Sequence, residues 1–154
     1  MNTTQTGYLA LTNVVLCVIL PPEKRKVPNM KNSKPKTKLL IVDDMPIIRE
    51  CLQFYFEQKD FNVFTSASAE EALDIIKKEK PDIMLSDINL PQMSGIELIK
   101  LVRQFNKEIK VIVLTGCDLD FRKDPQLKSL NILAFLHKPV DFNELEAVIK
   151  KAAT

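Results

Sequence analysis

Residues 82–95 read DIMLSDINLPQMSG, a short apolar run that ends in an aspartate and a turn. Ile83, Met84 and Leu85 lack the apolar–polar alternation of a half-buried strand, which is typical of a strand covered on both faces. Asp87 follows almost at once, although charged side chains are rarely buried without a partner. The stretch therefore predicts a buried strand that delivers Asp87 to a place where another group pairs with it.

An apolar run followed by a helical pattern occurs five times between residues 38 and 152. The helical segments have apolar residues three and four apart, and Ser68, Ser94 and Asp141 each precede a Glu by three positions, as in a capping box. Asn131 follows the weakest helical pattern and fits a left-handed C-terminal cap. We predict strands over residues 38–43, 62–66, 82–87, 110–115 and 133–138, and helices over residues 46–59, 69–79, 95–105, 118–130 and 142–152.

Strands without alternation, each followed by a helix, predict an α/β fold with a five-stranded parallel sheet and helices on both faces. We expect the flavodoxin-like strand order 2-1-3-4-5, in which the crevice lies between the carboxyl ends of strands one and three. Polar residues stand at or just after the ends of four strands and should converge at that crevice. They are Asp43, Asp44, Asp87, Thr115 and Lys138.

The residue types at this edge suit phosphoryl transfer. Three carboxylates repel one another unless a hard cation lies among them, and oxygen ligands suit Mg²⁺. A carboxylate can act as a nucleophile toward a phosphoryl group, and the transfer needs position and charge neutralisation more than a catalytic base. Lys138 would supply positive charge, and Thr115 would supply a hydroxyl donor.

Length and charge restrict the class of protein. The chain has 154 residues and is 45% hydrophobic, enough for one domain with a proper core. Residues 1–38 carry seven Lys or Arg and one acid, whereas residues 39–154 carry fifteen against nineteen. The folded part is therefore mildly acidic, which argues against direct nucleic-acid binding.

The cysteine and histidine content indicates a cytoplasmic protein without a zinc site. Cys17, Cys51 and Cys117 are odd in number and form no C-x-x-C pair, so free thiols in a reducing cytosol are the simplest interpretation. His137 is the only histidine of the sequence, which disfavours structural zinc.

The first 37 residues are predicted to be a disordered tail or linker, and residues 38–154 the domain. The apolar stretch 8–20 has thirteen residues, fewer than the ~20 of a membrane span, and its basic charge follows rather than precedes it. We therefore predict no membrane span and no signal peptide. Translation from a start upstream of a true one at Met30, a membrane-touching segment and a partner-binding segment stay open as explanations.

Four motifs resemble the receiver domains of two-component response regulators, of the stand-alone single-domain type. They are VDDMPIIR at residues 42–49, SDINLPQMSGIEL at residues 86–98, and the later VIVLTG and FLHKP. The similarity covers about residues 38–152. It departs from the family at Gly116, where Ala is usual, and at Asn131-Ile132, where Gly-Ala is frequent.

The resemblance implies a phosphoacceptor and a Mg²⁺ site. Asp87 would accept the phosphoryl group and contribute to the metal site. Asp44 would bind Mg²⁺ directly and Asp43 through water, while Asn89 would offer its backbone carbonyl.

The resemblance also implies a switch. Thr115 and Phe135 would be the switch pair, and Lys138 would contact the phosphoryl group. The peptide bond between Lys138 and Pro139 would be cis.

The function implied is phosphorelay signal transduction. A sensor histidine kinase or a histidine phosphotransfer protein would phosphorylate Asp87, and the domain would signal by docking on another protein. It would not be an enzyme beyond its own phosphorylation and dephosphorylation. One alternative is a receiver-like interaction module that works without phosphorylation. Another is a phosphotransferase of the haloacid-dehalogenase kind, which Asn89 disfavours because that family has its general acid at this place.

Overall fold

The computed structural model describes residues 36–116 and 125–154, in which strands and helices alternate along the chain. Four of the helices have 11 or 12 residues, and one is a single turn of four residues. The elements are β1 Lys38–Val42, α1 Pro46–Glu57, β2 Asn62–Ser66, α2 Ala69–Glu79, β3 Ile83–Asp87, α3 Gly95–Phe105, β4 Lys110–Thr115, α4 Pro125–Lys128, β5 Ile132–His137 and α5 Phe142–Ala153.

The five strands form one parallel sheet in the order β2-β1-β3-β4-β5, which confirms the predicted topology. The order reverses between β1 and β3, because the chain moves to one side for β2 and to the other for β3, β4 and β5. Their carboxyl ends therefore flank the crevice expected of such a sheet. The register of β4 against β5 shifts between Val111 and Ile112.

Helices cover both faces of the sheet, as predicted. Alternate residues of a strand face opposite sides, so Leu40 and Val42 pack into one core cluster while Leu39 and Ile41 pack into another. The first cluster includes buried residues of α2 and α3, and the second includes buried residues of α1 and α5. β3 is buried along its whole length, as its unbroken apolar run indicates.

The predicted boundaries are right to within two residues for every element except α4. A helix was predicted over residues 118–130, whereas the described part is helical over Pro125–Lys128 alone, and residues 117–124 lie outside the described residues. Pro125 stands at the first position of this turn, where its missing N–H costs no hydrogen bond. Asn131 has a φ of 48°, which confirms the left-handed residue predicted after this helix.

The two serine capping boxes differ in outcome. At α3 both halves are present, since Ser94 Oγ accepts from the Glu97 N–H and the Glu97 carboxylate accepts from the Ser94 N–H. At α2 the prediction is half wrong. Ser68 Oγ accepts from the Glu71 N–H, but the Glu71 carboxylate accepts from the Ala67 N–H at 2.9 Å instead of from Ser68.

The predictions for the N-terminal tail fall on residues that are mostly outside the described part of the chain, which begins at residue 36. Lys36 and Thr37 are described, and Thr37 accepts a backbone hydrogen bond from Asn62 at 3.0 Å. Across the described ranges, no helix is both long and apolar enough to cross a membrane.

Candidate functional site

Three carboxylates and an ammonium meet at the carboxyl edge of the sheet. Asp43 and Asp44 directly follow β1, Asp87 is the last residue of β3, and Lys138 directly follows β5. Carboxylate oxygens of the three acids lie within 4.8 Å of one another. The structure therefore brings together the acids and the lysine that the sequence placed at this edge.

Lys138 bridges the two buried acids. Its Nζ lies 2.7 Å from Asp43 Oδ2 and 2.5 Å from Asp87 Oδ2. Asp43 is 1% exposed and Asp87 is 6% exposed, so each carboxylate depends on protein groups for its solvation. Burial alone would lower the pKa of Lys138, but the hydrogen bonds to both acids outweigh it and raise that pKa above its ordinary value. The lysine is therefore a permanent cation at neutral pH.

Backbone amides hold the second oxygen of each buried carboxylate. The Met45 N–H donates to Asp43 Oδ1 at 2.9 Å, and the Asn89 N–H donates to Asp87 Oδ1 at 3.1 Å. Each acid thus accepts a local hydrogen bond on one oxygen and the Lys138 ammonium on the other. The contact also places Asn89 beside Asp87, and the role of its carbonyl as a metal ligand stays a prediction.

The charge of the site suits a divalent cation. Three carboxylates and one ammonium leave a net charge of −2. Asp44 is exposed, unlike the other two acids, so solvent and dissolved ions can reach it. An all-oxygen donor set with carboxylates is the kind that Mg²⁺ binds. The residues present therefore fit a Mg²⁺ ion.

The predicted switch pair lies on one face of the sheet. Thr115 ends β4 and is 1% exposed, while Phe135 stands in β5 in register with Val113. Val113 and Thr115 are two residues apart and so share a face. Phe135 packs against the same core cluster as Val113, which makes Thr115 and Phe135 diagonal neighbours on that face. The Lys138 N–H donates to the Thr115 carbonyl at 2.7 Å, and the bond between Lys138 and Pro139 is cis.

Gly95 contributes to the site in a way that sequence reasoning did not explain. A Cβ atom on Gly95 would stand 2.0 Å from the Asp87 carbonyl oxygen, which no side chain could tolerate. The Gly95 N–H donates to the Ile88 carbonyl at 2.8 Å. The start of α3 is therefore packed backbone to backbone against the loop after Asp87. Its only sequence signal is a glycine directly after a helix cap, where Gly has no conformational advantage.

Known proteins resemble this chain in sequence and in fold. Sporulation initiation phosphotransferase F of Bacillus subtilis (strain 168) is 37% identical over 115 residues, which are 74% of this chain and 91% of that protein. The chemotaxis response regulator CheY4 of Vibrio cholerae is 29% identical, with a TM-score of 0.69 over 76% of this chain and 98% of that one. The response regulator TrrA of Thermotoga maritima, in complex with Mg²⁺-BeF, is 31% identical, with a TM-score of 0.67 over 75% and 98%.

The family assignment rests on most of the described domain. Residues 39–150 match the response regulator receiver domain, from the second residue of β1 to the last turns of α5. The match includes both acids of the first loop, the aspartate that ends β3 and the lysine after β5. The chain belongs to the response regulator receiver domain family.

Proposed function

We propose that this receiver domain takes a phosphoryl group onto Asp87 and signals by protein–protein docking. The observation that supports this assignment most strongly is the Lys138 ammonium, which lies 2.5 Å from Asp87 Oδ2 while two further carboxylates stand within 4.8 Å. Asp87 is the last residue of β3, which is buried along its whole length, so its carboxylate has a fixed position. The family membership disfavours the haloacid-dehalogenase alternative, and the complete set of acids and lysine disfavours a module that works without phosphorylation.

The proposed reaction is a displacement at phosphorus. An oxygen of the Asp87 carboxylate attacks the phosphorus of a phosphohistidine on the partner protein. The P–N bond to that histidine breaks as the new P–O bond forms, which leaves an acyl phosphate on Asp87. The Lys138 ammonium is placed to offset charge on the phosphoryl oxygens, because it already contacts Asp87. No general base is required, since a carboxylate nucleophile has no proton to lose as it attacks.

The metal site is proposed to consist of Asp43, Asp44, Asp87 and the backbone carbonyl of Asn89. Bound Mg²⁺ would neutralise charge on the phosphoryl oxygens. Asp44 is the exposed acid and is proposed as the direct ligand, while Asp43 is assigned the contact through water. Relative to Asp44, Asp43 suits an indirect role because it is only 1% exposed, whereas Asp44 is exposed.

Thr115 and Phe135 are proposed to relay the phosphorylation. The Thr115 hydroxyl would donate to a phosphoryl oxygen, and Phe135 would turn inward on the same face of the sheet. A partner on α4, β5 and α5 would then bind the phosphorylated form more tightly, by ~1–3 kcal/mol. The test is amide exchange with and without a bound phosphoryl mimic. The largest changes away from Asp87 should fall on residues 115–140, and changes confined to α1 or α2 would contradict this output surface.

The partners and surroundings are proposed from the family. Receiver domains are signalling modules rather than enzymes with a separate substrate, and here the only catalysis proposed is that of the domain's own phosphorylation and dephosphorylation. The phosphoryl donor is proposed to be a sensor histidine kinase or a histidine phosphotransfer protein in the cytoplasm. Residues 1–37 are proposed to be a tail or linker that precedes the domain of residues 38–154.

The proposed function is tested by incubation with Mg²⁺ and phosphoramidate, a small donor with a P–N bond. The intact mass of the wild-type protein should rise by one phosphoryl group, and the rise should vanish in EDTA. The Asp87→Ala variant should keep its fold and gain no mass. Labelling of the wild type and Asp87→Ala to the same extent would contradict the assignment.

A further inference from the structure

Arg49 holds the backbone between the two acids of the first loop. It is the fourth residue of α1, and its Nη1 donates to the Asp43 carbonyl oxygen at 2.6 Å. Side chains on a helix tilt toward its N-terminus, so residue 49 can reach back to the loop before Pro46. The short distance marks a charge-assisted hydrogen bond from the guanidinium.

A cation at this place is unfavourable for the helix itself. The first turn of a helix favours negative charge, because its unpaired N–H groups carry a partial positive charge. α1 has no acidic residue in its first turn. Arg49 therefore does not stabilise the start of α1 through the helix dipole. Any stabilisation by its charge comes from its contact with the acidic loop.

The carbonyl that Arg49 binds belongs to the peptide unit that joins Asp43 to Asp44. That unit is planar, so a hydrogen bond that holds its oxygen also restrains the position of the Asp44 Cα atom. Asp43 is also held by its N–H, which donates to Ser66 at 3.2 Å, and by both of its carboxylate oxygens. Arg49 adds a restraint at the carbonyl of Asp43, the side of that residue to which the exposed Asp44 is joined.

We infer that Arg49 is a positioning residue for the Mg²⁺ site, an inference that rests on the proposed function. It touches neither the ion nor the phosphoryl group in this role. It orients the Asp43–Asp44 peptide so that both carboxylates point into the crevice beside Asp87. Groups that orient metal ligands typically contribute 10- to 100-fold to metal affinity.

Charge and positioning make opposite predictions for removal of the guanidinium. If Arg49 acted only as a nearby positive charge, its loss would strengthen Mg²⁺ binding by relieving repulsion. If it orients the ligands, its loss weakens Mg²⁺ binding. Arg49→Met removes both the charge and the donor and keeps an unbranched apolar stem, so the direction of the change distinguishes the two roles.

The experiment is calorimetric titration of the full chain with MgCl₂, supported by the rise in melting temperature that Mg²⁺ produces. Arg49→Met should weaken Mg²⁺ binding roughly tenfold, while Arg49→Lys, which keeps a charged donor for a single carbonyl, should stay close to wild type. Gln53→Met is the matched control, because Gln53 lies on the same helix and donates to Glu57 at 2.8 Å, away from the loop. At saturating Mg²⁺ the phosphorylation rate of Arg49→Met should return to that of the wild type.

Unchanged or tighter Mg²⁺ binding by Arg49→Met would overturn the inference. Equal weakening in Gln53→Met would also overturn it, since the effect would then belong to α1 as a whole. If Arg49→Met does not fold, Arg49→Gln, which lacks the charge and whose amide ends two atoms short of the Nη1 position, provides the same comparison. Absence of Mg²⁺ binding by the wild type would instead overturn the metal site of the proposed function, and the role of Arg49 would fall with it.

Discussion

Gly95 lies so close to Asp87 that a Cβ atom at residue 95 would stand 2.0 Å from the Asp87 carbonyl oxygen. The same Cβ would also stand 3.0 Å from the hydroxyl of Ser86, which donates to the Asp87 carbonyl at 2.9 Å. α3 therefore begins against the backbone of the proposed phosphoacceptor. Any side chain at residue 95 must displace that backbone.

Two glycine substitutions test this close approach. Gly95→Ala should lower the free energy of unfolding by ~2–3 kcal/mol, the scale of overpacking in a core, and should slow phosphorylation because it shifts Asp87. Gly116→Ala should be neutral or slightly stabilising, since a Cβ there meets nothing within 4 Å. Urea denaturation and phosphorylation rates provide the measurements. Equal behaviour of the two variants would contradict the account.

Lys138→Met tests the ammonium that bridges the two buried acids. Without it, the Asp43 and Asp87 carboxylates lose their shared cation and keep one backbone N–H each, so the free energy of unfolding in EDTA should fall by ~2 kcal/mol. Fully buried pairs lose ~3–5 kcal/mol, and the value is smaller here because the Lys138 side chain is 24% exposed. Mg²⁺ should restore part of the loss. Lys77→Met, at an exposed position of α2, is the control.

The same variant has a defined pH dependence. The folded-state pKa of Lys138 lies above its ordinary 10.5. The lysine's contribution to stability is therefore complete below pH 10.5 and declines as the pH rises through the folded value. The difference between wild type and Lys138→Met should shrink on that alkaline side, as measured by urea denaturation at several pH values. A difference that stays constant into strong alkali would mean that the ammonium is not its source.

A second cluster of charged groups joins α1 to α5. The Tyr55 hydroxyl donates to the Glu146 carboxylate, which also contacts Lys59 at 3.1 Å and Lys150 at 2.5 Å. Hydrogen bonds from Lys150 and Tyr55 lower the pKa of Glu146 to about 2. Burial, followed by the hydrogen bond to Glu146, raises the pKa of Tyr55 to about 12. The cluster is therefore in one protonation state throughout the physiological range.

The free energy of unfolding should depend on this cluster in strong acid, through Glu146, and in strong alkali, through Tyr55. The contribution of Glu146 is complete above its ordinary pKa of 4.5 and is lost as the pH falls through 2, so Glu146→Gln should be ~1 kcal/mol less stable than wild type at pH 7 and equal to it in strong acid. Tyr55 contributes below pH 10 and loses its contribution as the pH rises through 12. A Glu146→Gln deficit that persists unchanged below pH 2 would contradict the assignment.

The strand order and the site could be predicted because they depend on local patterns. Unbroken apolar runs such as the one before Asp87 indicate strands covered on both faces, and right-handed crossovers leave few orders for five of them. Once the order is known, polar residues at strand ends such as Asp43 and Lys138 must meet at one edge. This part of the site therefore follows from the chain itself.

Contacts that depend on exact backbone positions could not be predicted. Glu71 accepts from Ala67 rather than from Ser68, because two N–H groups compete for it and only the path of the loop decides between them. The approach of Gly95 to Asp87 is marked in the sequence only by a glycine after a helix cap, which does not show what that glycine packs against. Pairs such as Tyr55 and Glu146 are 91 residues apart and have no local signature.

Removal of the residues before Met30 tests whether the tail contributes to the domain. All strands and helices of the described residues lie between Lys38 and Ala153. The shortened chain keeps Lys36, whose Nζ contacts Asp60 at 3.2 Å. It should therefore melt at about the same temperature as the full chain in a calorimetric scan. A clear loss of melting temperature would show that residues 8–20 pack on the domain.

The most direct test of the central claim is to locate the phosphoryl group among the three clustered acids. The protein is phosphorylated with phosphoramidate in the presence of Mg²⁺ and then reduced with borohydride, which converts an aspartyl phosphate to homoserine. It is then digested for tandem mass spectrometry. We predict that homoserine appears at residue 87 alone, because Asp87, the last residue of β3, is the proposed nucleophile, whereas Asp43 and Asp44 are proposed only to hold the Mg²⁺ ion. Homoserine at residue 43 or 44 in place of residue 87 would contradict the claim.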